Sequence, residues 1–141
     1  MENRENIIYF ITGNNHKFTE VKDIFKSEDV SYILRKNNLI PIEIQAESVR
    51  DVAYYKVNSV KNEVDESFFV EDAGLFVDNP LKGFPGVYSS YIFKTIGNEG
   101  VLKLINNFNQ TKVHFSAVIA LYFKPLEKIF LFEGIANGKI S

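Results

Sequence analysis

Residues 68–91, FFVEDAGLFVDNPLKGFPGVYSSY, decide how this chain reads. A short apolar run meets two adjacent carboxylates, Glu71 and Asp72. Ala73 and Gly74 follow at once, then a second apolar run and a loop carrying Pro80, Gly83, Pro85 and Gly86. Apolar runs of this length beside Gly and Pro are the pattern of buried strands ending in loops. The expectation is two strands, 68–71 and 75–77, around an acidic pair at a strand mouth. Side chains alternate along a strand, so Glu71 and Asp72 face opposite ways and cannot share one role. Carboxylates on so rigid a frame, open to ligand, suit a metal ion or an activated water; the plainer reading is an acidic pair on a surface turn.

Outward from this stretch, the spacing predicts a strand over 7–12 (IIYFIT), a tight turn at Gly13-Asn14-Asn15, and a helix over 16–26 with Asn15 or its neighbour as cap. A second strand is expected over 30–34, with Arg35 and Lys36 in a solvated turn, and a third over 40–44, with Pro41 at its start or on an edge. Val49, Val52, Ala53, Val57 and Val60 form an apolar helical face over 48–62, with Ser48 as N-cap. Val101, Leu102, Leu104, Ile105 and Phe108 predict another helix. Residues 113–123 and 129–136 predict a hairpin around KPLEK. Strand–helix–strand units with a late hairpin indicate an α/β domain with a mixed sheet.

The chain has 141 residues, enough for one domain with a real core, and its apolar content is ordinary for a soluble protein. No apolar run is long enough to span a bilayer, and the N-terminus lacks a signal-peptide layout, so a cytoplasmic location without membrane association is expected. A formal net charge of -2 without a basic stripe argues against nucleic acid as partner, while a small anion bound by a few lysines and amides is compatible with it. The absence of Cys removes thiolate metal sites and cysteine nucleophiles. The two histidines, His16 and His114, are too few for a histidine-rich metal site.

Four groups of residues could do chemistry. Thr12-Gly13-Asn14-Asn15-His16-Lys17 lies at a strand–turn–helix junction, where backbone N–H groups and the positive helix end favour phosphate, although an ordinary βα turn fits as well. Glu43 with Gln45 follows an apolar run. Lys56 sits on or beside the apolar face of its helix, either snorkelling to the edge or projecting into a cleft. Glu71 and Asp72 complete the set. Two carboxylates with several waters are a common Mg²⁺ arrangement, substrate phosphates filling the octahedron.

In order along the chain, TGNNHK at 12–17, EIQ at 43–45 and VEDAGLFVDNPLKGFPGVYSSY at 70–91 resemble the motifs of the inosine triphosphate pyrophosphatase family, and the later FSAVIAL and FEGIANGKI resemble its paired strands. The resemblance covers essentially the whole chain. It implies an elongated mixed β-sheet flanked by helices, with two lobes around a central cleft, in one domain spanning 1–141. It implies Mg²⁺-dependent hydrolysis of non-standard purine nucleoside triphosphates (ITP, dITP, XTP) to the monophosphate and pyrophosphate, by a homodimer. It places Thr12, Gly13, Asn14, Lys17, Lys56, Asp72, Ala73 and Ser89 on the substrate, Glu43 and Asp72 on the metal, and Asp72 with Glu71 as the catalytic carboxylates. Two departures accompany it. Bacterial members often read YSAR where this chain has Tyr88-Ser89-Ser90-Tyr91, and the family's later base-recognition motifs are absent, which implies weaker base preference. A non-catalytic nucleotide-binding or dimerisation module of the same family is the alternative.

Overall fold

The computed structural model describes residues 6–106 and 110–140. Strand β1 (Ile7–Ile11) leads through the turn at Gly13 into helix α1 (Asn15–Ser27), which returns to β2 (Ile33–Asn37). An extended segment without regular structure, 38–47, precedes α2 (Val49–Val60). Then come β3 (Ser67–Asn79), the two-residue β4 (Pro85–Gly86), α3 (Ser89–Thr95), α4 (Gly97–Leu104), β5 (Lys112–Phe123) and β6 (Lys128–Gly138). The sheet order is β2-β1-β3-β5-β6, with β4 added beside β3. β1 lies parallel to β2 and β3; the β3, β5 and β6 pairings are antiparallel. The mixed α/β sheet is the one the sequence predicts.

The acidic pair corrects the reading at its centre. Residues 67–79 form one strand, not two, and Glu71 and Asp72 lie in mid-strand rather than at its mouth. The cause is β5, which pairs with β3 from Phe68 to Asn79 and carries it across the acidic residues. On the other side β1 pairs only with 67–69 and β4 only with Leu75 and Phe76. Between them, residues 70–74 look onto a gap, and the gap opens at the C-terminal end of β1, where open α/β sheets bind ligands. A side chain at position 74 would meet the Gly86 carbonyl oxygen at 2.4 Å, so glycine is what lets β4 close one end of this gap.

Alternation along β3 divides the core. Phe68 and Val70 join Val118, Ala120 and Tyr122 of β5 beneath Val49, Ala53, Val57 and Val60 of α2, whose apolar stripe is the one read from the sequence. On the opposite face Val77 packs with Val101 and Ile105, roofed by Ile92 and Phe93 of α3. Ser48 caps α2 by accepting from Asp51 N–H at 3.1 Å, as expected.

Three smaller expectations shift. The second strand is Ile33–Asn37, so Arg35 and Lys36 lie within it, and the Lys36 ammonium hydrogen-bonds the Asn15 side chain. Residues 40–44 form no strand: Ile40 and Ile42 are exposed and no neighbouring strand is in register with them. The later helix begins at Gly97, earlier than its apolar spacing suggests, and Phe108 lies outside the described residues. Helix α3 has no counterpart in the sequence reading. No helix among the described residues is long and apolar enough to cross a membrane.

Candidate active site

The turn after β1 is built by its own side chains. Asn14 caps α1, its Oδ1 accepting from Lys17 N–H at 3.1 Å, and Thr12 Oγ1 accepts from Asn14 N–H at 3.0 Å. Thr12 N–H donates to Asn37 O at 3.2 Å, which fixes the turn to the end of β2. The Thr12 hydroxyl hydrogen and the Asn14 side-chain Nδ2 are not used by these bonds, and both residues line the cavity beside the turn. Gly13 has open space where a side chain would stand, so nothing crowds this backbone.

Lys17, in the first turn of α1, reaches β3 and forms an ion pair with Glu71. Lys56 comes from the other face. It is buried on α2, and its Nζ lies 2.9 Å from Glu43 Oε1, 3.3 Å from Asp72 Oδ1 and 3.2 Å from the Glu71 carbonyl oxygen. Of the two readings open for this lysine, projection into a cleft is the one observed. Glu43 is delivered by the irregular segment 38–47, which Ile42 N–H anchors to Ser59 Oγ of α2 at 3.0 Å; Ser59 in turn donates to Lys56 O at 2.7 Å. Ser59 therefore ties the segment that carries Glu43 to the helix that carries Lys56, a role that leaves no mark in the sequence.

A cavity of about 770 Å³ is lined by Thr12, Gly13, Asn14, Lys17, Glu43, Lys56 and Glu71, with Asn38, Leu39 and Lys94 also on its wall. Burial pushes the Asp72 carboxyl above the ordinary aspartate range; the Lys56 charge and hydrogen bond pull it back, Glu43 adds to the rise and Lys17 opposes it. Asp72 keeps 16% of its side chain exposed, against 65% for Glu43, so the pair joins an inner and an outer carboxylate. Their oxygens converge on one cationic point, now the Lys56 ammonium, and that fits a small hard cation that takes one or two carboxylates and keeps several waters. Among the described residues no cluster of three or more His, Cys, Asp or Glu side chains offers a full protein cage.

Three of the expected substrate residues, Asp72, Ala73 and Ser89, are not among the lining residues; Asp72 is tied to the cavity through its contact with Lys56. Ser89 is buried at the start of α3, and its Oγ accepts from Leu75 N–H at 2.8 Å and lies 2.6 Å from the Gly86 oxygen and 3.2 Å from the Leu75 oxygen as acceptors. Its hydroxyl is committed to backbone. Ala73 stands opposite Ala117 in the β3–β5 pairing and does not line the cavity. His114 stacks on Phe76 with centroids 4.6 Å apart, and its Nδ1 lies 2.6 Å from Asp78 Oδ2. Lys94 is the cleft residue that sequence reasoning missed.

The Ham1 family profile matches residues 8–141. The chain belongs to the Ham1 family. Its Ham1 relatives include proteins named dITP/XTP pyrophosphatase from Pyrococcus horikoshii, 40% identical over 95% of this chain and 69% of the relative, and from Thermococcus kodakarensis, 41% identical over 94% of this chain and 68% of the relative. The Ham1 protein of Staphylococcus aureus superposes with a TM-score of 0.77 at 21% identity, covering 96% of this chain and 72% of that one. The HAM1 protein of Coxiella burnetii superposes with a TM-score of 0.80 at 19% identity, covering 96% and 73%. At that identity the two structures establish a shared Ham1 fold.

Proposed function

We propose that this Ham1 chain, as one domain, hydrolyses non-standard purine nucleoside triphosphates, with ITP, dITP and XTP as substrates, to the nucleoside monophosphate and pyrophosphate. The observation that carries the reading is the meeting of Lys17–Glu71 and Glu43–Lys56 on the wall of one cavity that the Thr12–Asn14 turn also lines, with Asp72 joined to it through Lys56. The names of the Pyrococcus and Thermococcus relatives supply the substrate class.

Thr12, Gly13 and Asn14 receive the phosphates, and Lys17 and Lys56 neutralise the charge that builds on them during the reaction. A water oxygen attacks the α-phosphorus, the bond to the bridging oxygen breaks, and pyrophosphate leaves in line with the attack. The water's proton passes to Asp72. Lys56 contacts Oδ1, and a carboxyl raised by burial is better matched to proton transfer near neutral pH than an ordinary aspartate. Glu71, held by Lys17 on the opposite face of the strand, is the auxiliary carboxylate. Glu43 and Asp72 would hold Mg²⁺, which when bound supplies Lewis-acid stabilisation of the phosphates and a more acidic water. The reading includes a cytoplasmic homodimer.

The test is pyrophosphate release from ITP, dITP, XTP and ATP with Mg²⁺, set against Asp72→Asn. Equimolar monophosphate and pyrophosphate from the first three, lost on chelation, is expected. Release no greater than that of the variant would overturn the reading.

A further inference from the structure

Five charged side chains line the cleft, Lys17, Lys56 and Lys94 with Glu43 and Glu71, and a third carboxylate, Asp72, joins them through its ion pair with Lys56. Two of the lysines are committed, Lys17 to Glu71 and Lys56 to Glu43 and Asp72. Lys94 differs. It lines the 770 Å³ cavity and also a neighbouring hollow of about 390 Å³ bordered by Glu43, Gln45, Tyr88 and Tyr91, so it stands where the two meet. Its side chain is exposed, and no carboxylate among the described residues pairs with it.

Its placement is nevertheless fixed. Ser89 clamps the start of α3 to the Leu75 and Gly86 backbone, and Ile92 and Phe93, just before Lys94, pack against the core around Val77. A lysine on so rooted a helix cannot drift far from the cleft even though its own stem is mobile. The three carboxylates and the two paired lysines leave the site one negative charge in excess, whereas a triphosphate brings several more. Among the described lysines that line the cleft, Lys94 is the one able to answer that charge without first breaking an ion pair.

We propose that Lys94 binds the polyphosphate end of the substrate, the part that leaves as pyrophosphate, acting as a point charge across the cleft from the Thr12–Asn14 turn. The inference rests on the proposed function for the identity of the substrate, and on the charge pattern alone for the identity of the bound group. Lysine suits this task because it follows a phosphate as a compact charge and does not demand a fixed bidentate geometry.

Calorimetry with inorganic pyrophosphate and inorganic triphosphate, each with Mg²⁺, and with inosine monophosphate tests it on the wild type, Lys94→Met and Lys94→Arg. Lys94→Met should weaken both inorganic ligands about tenfold, with a shallower salt dependence, while Lys94→Arg restores most of the affinity. Inosine monophosphate affinity should not change. In turnover, KM for ITP should rise more than kcat falls. Unchanged affinity of folded Lys94→Met for both inorganic ligands, or equal weakening of monophosphate, would overturn the inference, as would failure of the wild type to bind either inorganic ligand. Wild-type binding of inorganic triphosphate without any hydrolysis of ITP would instead sink the proposed function and leave Lys94 to be judged by the calorimetry.

Discussion

Asp72 shows how function and stability oppose each other at one side chain. Burial raises its carboxyl, so the folded chain holds that proton more tightly than the unfolded chain does. Folded stability therefore falls as pH rises from the ordinary carboxylate value through the raised one. Asp72→Asn removes the charge but keeps the shape. The variant should melt at a higher temperature than wild type at pH 7, with the gap closing as pH drops below the aspartate range, measured by calorimetric melting across pH. Its pyrophosphatase rate should fall about 10²- to 10⁴-fold, the usual worth of a positioned general base. A variant that melts lower at pH 7 would mean that the contact with Lys56 outweighs burial. At this scale the sequence was informative: Glu43, Lys56 and Asp72 were named from it and meet, and Glu71, also named, pairs with Lys17 on the other face of the strand. Lys94 and Ser59 were not, because each acts through its position on a packed helix and neither belongs to a recognisable motif.

The 85–89 turn and the strand beside it show what holds the site's elements in place. Ser89 supplements the short β3–β4 pairing with side-chain bonds to the Leu75 and Gly86 backbone, so Ser89→Ala leaves those backbone groups without that partner. It should cost about 1–3 kcal/mol in chemical denaturation. Gly74→Ala meets a carbonyl oxygen of the adjoining backbone, which has little freedom to retreat, and should cost about 1–3 kcal/mol and disturb α3. The elements themselves were unevenly legible. Helix α2 followed from its valine spacing and Ser48, because both signals are local. β3 was misread as two strands: two carboxylates beside Ala-Gly imitate a strand end, and only pairing with distant β5 overrides them. Helix α3 was missed because SSYIFKT is short, aromatic and without a side-chain cap.

Across the whole molecule, one sheet face is only partly covered. Ile119 and Leu121 of β5 stand opposite Phe132 and Phe130 of β6, on the side away from α2, and Phe132 is 56% exposed. An apolar strip of this kind supports self-association, in keeping with the proposed homodimer. Sedimentation velocity should show a dimer at micromolar concentration, and Phe132→Lys should shift it toward monomer while leaving the melting temperature little changed; a wild-type monomer throughout that range would remove the homodimer from the reading.

β3 also behaves as a ruler. Because it runs unbroken through the site, the face each carboxylate serves is set by counting residues from Ser67. One residue inserted between Phe68 and Glu71 would hand Glu71 to α2 and Asp72 to α1, exchanging two roles without altering composition. The same insertion at residues 38–41 would only lengthen an irregular segment tied down at Ile42. Length variation should thus be tolerated on the arm that carries Glu43 and forbidden on the strand that carries its partner, so the site is fixed by arithmetic on one side and by tethering on the other.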